Sequence, residues 1–113
     1  MEKDYPSFKE LTPTDGRDLD EKIAAEHFFG KSIPESYEMF LSNPDYFLND
    51  FLHLGKEGFL FYAEIIVLYL RECVDGYDDV FIDFFKYIVK SRGDDLRGTK
   101  LLSLIEDVLH EEI

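Results

Sequence analysis

The sequence predicts an all-α protein, a single compact domain of five or six helices around a central apolar helix, Glu57 to Cys73. Three observations predict it. Apolar residues recur at helical spacing in successive segments, no stretch carries a β-hairpin signature, and one segment is apolar nearly all round, as a helix enclosed by others should be. With 113 residues, 45% hydrophobic and 16% aromatic, the chain has material for one packed core and not for two.

Met1 to Gly16 holds Pro6, Pro13 and the turn signal Thr14-Asp15-Gly16 without a sustained period. That pattern predicts an irregular N-terminal arm (1–16) ahead of a helical domain (17–113). From Arg17 to Phe29, Leu19, Ile23, Ala24 and Phe28 recur on one helical face, with Asp15 or Asp18 as cap and Gly30 as a left-handed stop. Pro34 opens a second, short helix with Tyr37, Phe40 and Leu41 on one face, broken at Asn43-Pro44. Asn43 is placed to cap a third helix, whose stripe is Phe47, Leu48, Phe51 and Leu52 and whose stop is Gly55.

In the central helix the polar residues Glu57, Glu64 and Arg71 are spaced by seven, so they fall on one narrow line that reaches solvent. Asp75-Gly76-Tyr77-Asp78 turns the chain, and Asp78 is placed to cap the next helix. There Val80, Phe81, Phe84, Phe85, Ile88 and Val89 form an apolar face, Lys86, Lys90 and Arg92 suit the negative helix end, and Gly93 is the stop. A last helix, capped by Thr99, carries Leu101, Leu102, Leu104, Ile105, Val108 and Leu109.

The 25 Asp and Glu against 12 Lys and Arg give a formal net charge of −13. Such a field repels phosphate backbones and anionic membranes, which excludes nucleic acid and membrane as expected partners and favours a protein with a basic surface. Cys73 is the only cysteine, so neither an intrachain disulfide nor a cysteine-based zinc site can form, and a buried thiol is expected. The opening Met1-Glu2-Lys3-Asp4-Tyr5-Pro6 lacks a basic region followed by an apolar run, and Phe59 to Leu70 is too short to span a bilayer, so a cytoplasmic location is expected.

Several patterns suggest chemistry, and each has a plainer explanation. Gly30-Lys31-Ser32 ends like a phosphate-binding loop, but position 25 is Ala25 where that loop needs glycine, so a helix stop is the better account. Asp75, Asp78, Asp79 and Asp83 are rich enough in oxygen for calcium, yet they do not match an EF-hand, and capping explains Asp78 and Asp79. Glu64 would suit a general acid if buried, but its line with Glu57 and Arg71 places it at the surface. His27, His53 and His110 form no spaced metal motif, and His27 reads as a lone packed or exposed side chain beside Phe28 and Phe29. Arg92-Gly93-Asp94 spells an adhesion tripeptide but reads as the end of a helix. No catalytic residue, cofactor or metal is therefore expected, and Asp75, Asp78, Asp79 and Asp83 are taken as an interaction face.

Glu26-His27-Phe28-Phe29-Gly30-Lys31-Ser32, Asn49-Asp50-Phe51-Leu52 with Gly55, and Phe59-Leu60-Phe61-Tyr62 with Tyr69-Leu70 together resemble a family of small bacterial cytoplasmic proteins. That family shares a Phe-x-Gly-Lys-Ser/Thr segment, an acidic pair before an aromatic and glycine, and a Phe-x-Tyr-Tyr-like start to an apolar helix. The acidic pair is Asn49-Asp50 here, and Leu54 stands where a methionine would precede Gly55. The resemblance brings no assigned activity. The leading expectation is a non-catalytic protein-binding module that neutralises or chaperones a basic partner, in the manner of an immunity protein. A self-associating module, using the aromatics of Tyr37 to Phe51, comes second. An enzyme using Glu64 or the Asp75 to Asp83 cluster comes last, because no nucleophile, base or cofactor motif is paired.

Overall fold

Side-chain caps set four of the helix starts. In the computed structural model, which describes residues 5–72 and 79–111, Ser7 and Glu10 form a reciprocal capping box. That box opens α1 (Phe8–Leu11). Asp18 accepts from the Glu21 N–H to open α2 (Leu19–Phe28), and Gly30, at φ +78°, reverses the chain after it. A second capping box, Ser32 with Glu35, opens α3 (Ile33–Ser42), which ends before Pro44.

The third helix expected from sequence is two, α4 (Pro44–Leu48) and α5 (Asp50–His53), and Asn43 makes no side-chain cap. The central helix is likewise two, α6 (Lys56–Tyr62) and α7 (Glu64–Glu72), separated by Ala63 alone, whose dihedrals stay near helical values. Cys73 and the turn Asp75 to Asp78 lie outside the described residues. After them come α8 (Asp79–Ser91), α9 (Gly93–Leu96) and α10 (Lys100–Leu109), the last capped by Thr99 as expected. Among the described residues every regular element is a helix, so the chain is an all-α single domain, and its Cα radius of gyration of 13.4 Å suits one domain of this length. None of these helices is long and apolar enough to cross a membrane.

Phe28, Phe40, Phe51, Phe59, Tyr62 and Phe85 are fully buried, joined by Ile65, Ile66, Ile88 and Ile105. Phe28 packs 5.4 Å from the Phe51 ring and 4.8 Å from Tyr62. Glu57, Glu64 and Arg71 are exposed, as their spacing requires. The buried face of α2 is rotated from the expected one: Leu19 and Ile23 are exposed, while Ala24, Ala25 and Phe28 are buried. Two alanines on that face let α2 approach α5 closely. Val80 and Leu41 are also exposed rather than on the inner face.

The N-terminal segment is packed and partly helical rather than an irregular arm. Leu11 is fully buried, its carbonyl accepts from the Gly55 N–H at 2.8 Å, and Glu21 accepts from the hydroxyls of Thr12 and Thr14. Gly55 opens α6 and is not a left-handed stop; a Cβ there would strike the Glu10 carbonyl oxygen and lie 2.6 Å from Pro13 Cδ. Glycine is needed for close approach and not for a turn.

Gly93 is not a stop either. It begins α9, after Arg92 leaves helical geometry at φ −108°, ψ 24°. Arg92 serves a different helix end from the expected one: its guanidinium donates to the carbonyls of Leu54 (2.6 Å) and Phe51 (3.1 Å) at the end of α5. It also pairs with Asp95 and lies 4.3 Å from the centroid of the Phe59 ring.

Candidate functional site

Asp20, Ile23 and His27 stand three and four residues apart on α2, so they share one face of that helix. Asp45 and Tyr46 on α4 and Asn49 and Asp50 at the α4–α5 junction face them. Between the two walls lies a cleft of about 340 Å³ lined by Asp20, Ile23, Asp45, Tyr46, Asn49 and Asp50. Three carboxylates and two exposed apolar side chains, Ile23 and Tyr46, thus border one space.

His27 joins two of the lining residues, Asp50 and Tyr46. Its Nδ1 is 2.7 Å from Oδ2 of Asp50, and its Nε2 is 3.4 Å from the Tyr46 hydroxyl. The ring is held by edge contact with Phe47, centroids 5.2 Å apart, and by Tyr46 at 5.5 Å. The Asp50 side chain is 8% exposed. Burial pushes its carboxyl above the ordinary aspartate range, against which the His27 hydrogen bond and the nearby His27 and His53 charges pull downward. An ionised carboxylate only accepts, so Asp50 takes the Nδ1–H of His27, and when the imidazole is neutral Nε2 is left as the acceptor for the Tyr46 O–H. Lys31 closes the end of α2 by donating to the His27 carbonyl at 2.6 Å.

The residues singled out in the sequence fall elsewhere. Asp79 and Asp83 are exposed, one turn apart on α8, and Asp75 and Asp78 lie outside the described residues. Glu64 is at the surface, away from any described histidine partner. Gly30-Lys31-Ser32 is a helix stop followed by a capping box. The acidic C-terminal helix is partly engaged: Glu111 pairs with Lys86 at 2.8 Å, and Asp107 is 3.8 Å from Arg71. Glu112 lies outside the described residues.

His27 is not a lone histidine, and its partner Asp50 is not among the residues singled out in the sequence. The two are 23 positions apart, so no local spacing could pair them. One signal was readable: Asp50 interrupts the apolar face of Phe47, Phe51 and Leu54, where a carboxylate needs a partner. No family model matches the chain, and neither a curated protein nor a solved structure does, so the resemblance drawn above rests on its short segments alone.

Proposed function

We propose that the protein is a non-catalytic binding module that takes a lysine- or arginine-bearing segment of a basic protein partner into the cleft between α2 and α4–α5. The observation that carries this reading is the lining of that cleft. Asp20, Asp45 and Asp50 supply negative charge, while Ile23 and Tyr46 supply surface for the methylene stem of a cationic side chain. The Tyr46 ring adds attraction for a cation over its face. The net charge of −13 supports the same reading, since it accelerates encounter with a basic surface and relieves its own repulsion on binding. A cationic toxin or nuclease, held inactive by this domain, is a partner of that chemistry.

The test is titration with a basic peptide carrying Lys and Arg, at low and high salt. Asp20→Asn with Asp45→Asn should weaken binding several-fold and flatten its salt dependence, whereas Asp79→Asn with Asp83→Asn should leave both unchanged. A larger loss from the α8 pair would move the interface to the face expected from sequence. Failure of the basic peptide to bind at low salt would remove the reading altogether.

A second reading is self-association. It is favoured by an apolar groove of about 280 Å³ lined by Tyr37, Leu41, Tyr69 and Glu72, in which Leu41 is exposed. A monomer by light scattering at high concentration would remove it.

A further inference from the structure

Tyr46, His27 and Asp50 form a chain from the surface to the interior that binding of a cation does not require. The phenol is at the solvent end, 53% exposed; the imidazole is in the middle; and the buried carboxylate is at the inner end. Asp50 fixes the imidazole by its Nδ1–H, which directs the Nε2 lone pair at the phenolic O–H, 3.4 Å away. This is the order of groups in which a buried acid orients a base and the base takes a proton from a nucleophile. The separation is long for a hydrogen bond, as such contacts often are before a substrate arrives.

We propose that Tyr46 is an activated phenol, a covalent acceptor site for acyl groups, with His27 as its general base and Asp50 as the residue that positions that base. The phenolic oxygen attacks the carbonyl carbon of an activated acyl donor, and the new C–O bond forms as the bond to the leaving group breaks. The phenolic proton passes to Nε2 of His27 and then to the departing group, so the products are an O-acyl tyrosine and a protonated leaving group. Charge selects the donor class. Asp20 and Asp45 line the same cleft and repel anionic phosphoryl donors, whereas Ile23 offers an apolar wall to an acyl chain. The titratable groups that contact His27 are Asp50 from α5 and Tyr46 from α4 at its ring and Lys31 at its carbonyl; Asp20 and Asp45 line the adjoining cleft, and His53 acts on Asp50.

Tyr87 supplies an internal reference. It is 59% exposed, close to Tyr46, and stacks on Phe84, with no hydrogen bond to any described histidine. The experiment treats the whole chain with N-acetylimidazole and follows both tyrosines by peptide mass spectrometry. Tyr46 should acetylate on the order of tenfold faster than Tyr87 at neutral pH, less than the ~100-fold at which a fully positioned base begins, because the contact to Nε2 is long. The rate at Tyr46 should rise with pH at lower pH than that of Tyr87. His27→Gln should bring Tyr46 down to the rate of Tyr87. Equal rates in the unaltered protein, or a rate at Tyr46 that His27→Gln leaves unchanged, would overturn the proposal. If His27→Gln does not fold, the pH profile of the unaltered protein decides: a profile at Tyr46 that coincides with that of Tyr87 overturns it. The outcome does not depend on a basic partner, so peptide binding and tyrosine acylation can succeed or fail separately.

Discussion

Among the described residues, Arg92 and Asp50 both carry charge into the interior of this domain, and they are satisfied in different ways. Arg92 spreads its donors over two backbone carbonyls and the Asp95 carboxylate and lays its plane against Phe59. Its side chain is 11% exposed and every partner belongs to the fold. Asp50 is as deeply placed but leans on one imidazole, and that imidazole opens toward an exposed phenol and a cleft. A buried charge surrounded by backbone acceptors fixes helices in place. A buried charge whose only partner faces solvent leaves a group available for chemistry.

This contrast can be broken by mutation, beginning where the effect should be greatest. Phe59→Ala removes a fully buried ring and the platform under Arg92, and should cost about 3–5 kcal/mol of unfolding free energy in a denaturant titration. Leu68, only half-buried, should cost clearly less when cut to alanine. Arg92→Met leaves the Phe51 and Leu54 carbonyls without their donor and should cost about 2–3 kcal/mol, with Arg92→Lys restoring less than half, because one ammonium cannot span both carbonyls and Asp95.

Tyr62→Phe should cost about 1 kcal/mol near neutral pH. The Tyr62 hydroxyl is shared between the carbonyls of Phe28 and Lys31, and burial pushes its pKa up to about 12. The folded state therefore holds this proton more tightly than the unfolded chain. Its contribution is complete below about pH 10, the ordinary tyrosine value, and is lost as pH rises toward 12. Stability should fall less steeply between those limits in Tyr62→Phe than in the unaltered protein. Asp50→Asn should change stability least, within about 1 kcal/mol, because the amide oxygen still accepts from His27 and the buried charge is gone. A loss as large as that of Arg92→Met would mean that Asp50 is a fold determinant and erase the contrast.

Local signals in the sequence carried the helices well where cap and period agreed. Asp18, Gly30 and Thr99 stand where they were expected, and the line of Glu57, Glu64 and Arg71 faces solvent because a seven-residue spacing nearly repeats the helix turn. The first segment was harder to read. α1 is a single turn, too short for periodicity to register, and its only sign was the Ser7-x-x-Glu10 box. Gly55 looked like punctuation, whereas the reason for glycine is the Glu10 carbonyl lying against it, a contact that no local pattern encodes. The candidate site escaped for the same reason. Its members come from α2, α4 and α5, and only the fold brings the imidazole to the carboxylate.

The Arg92 contacts also order events during synthesis. Phe51 and Leu54 precede Arg92 by 41 and 38 residues, so their carbonyls leave the ribosome well before the guanidinium that will engage them. At roughly 5–20 residues per second the interval is about 2–8 s. Through that interval the face of Phe59 that Arg92 will cover has no cation, and a chain arrested short of residue 92 could not close its central helices in the native way. Completion of this core is thus a late event in translation, since the Phe59 ring is made well before the guanidinium that covers it.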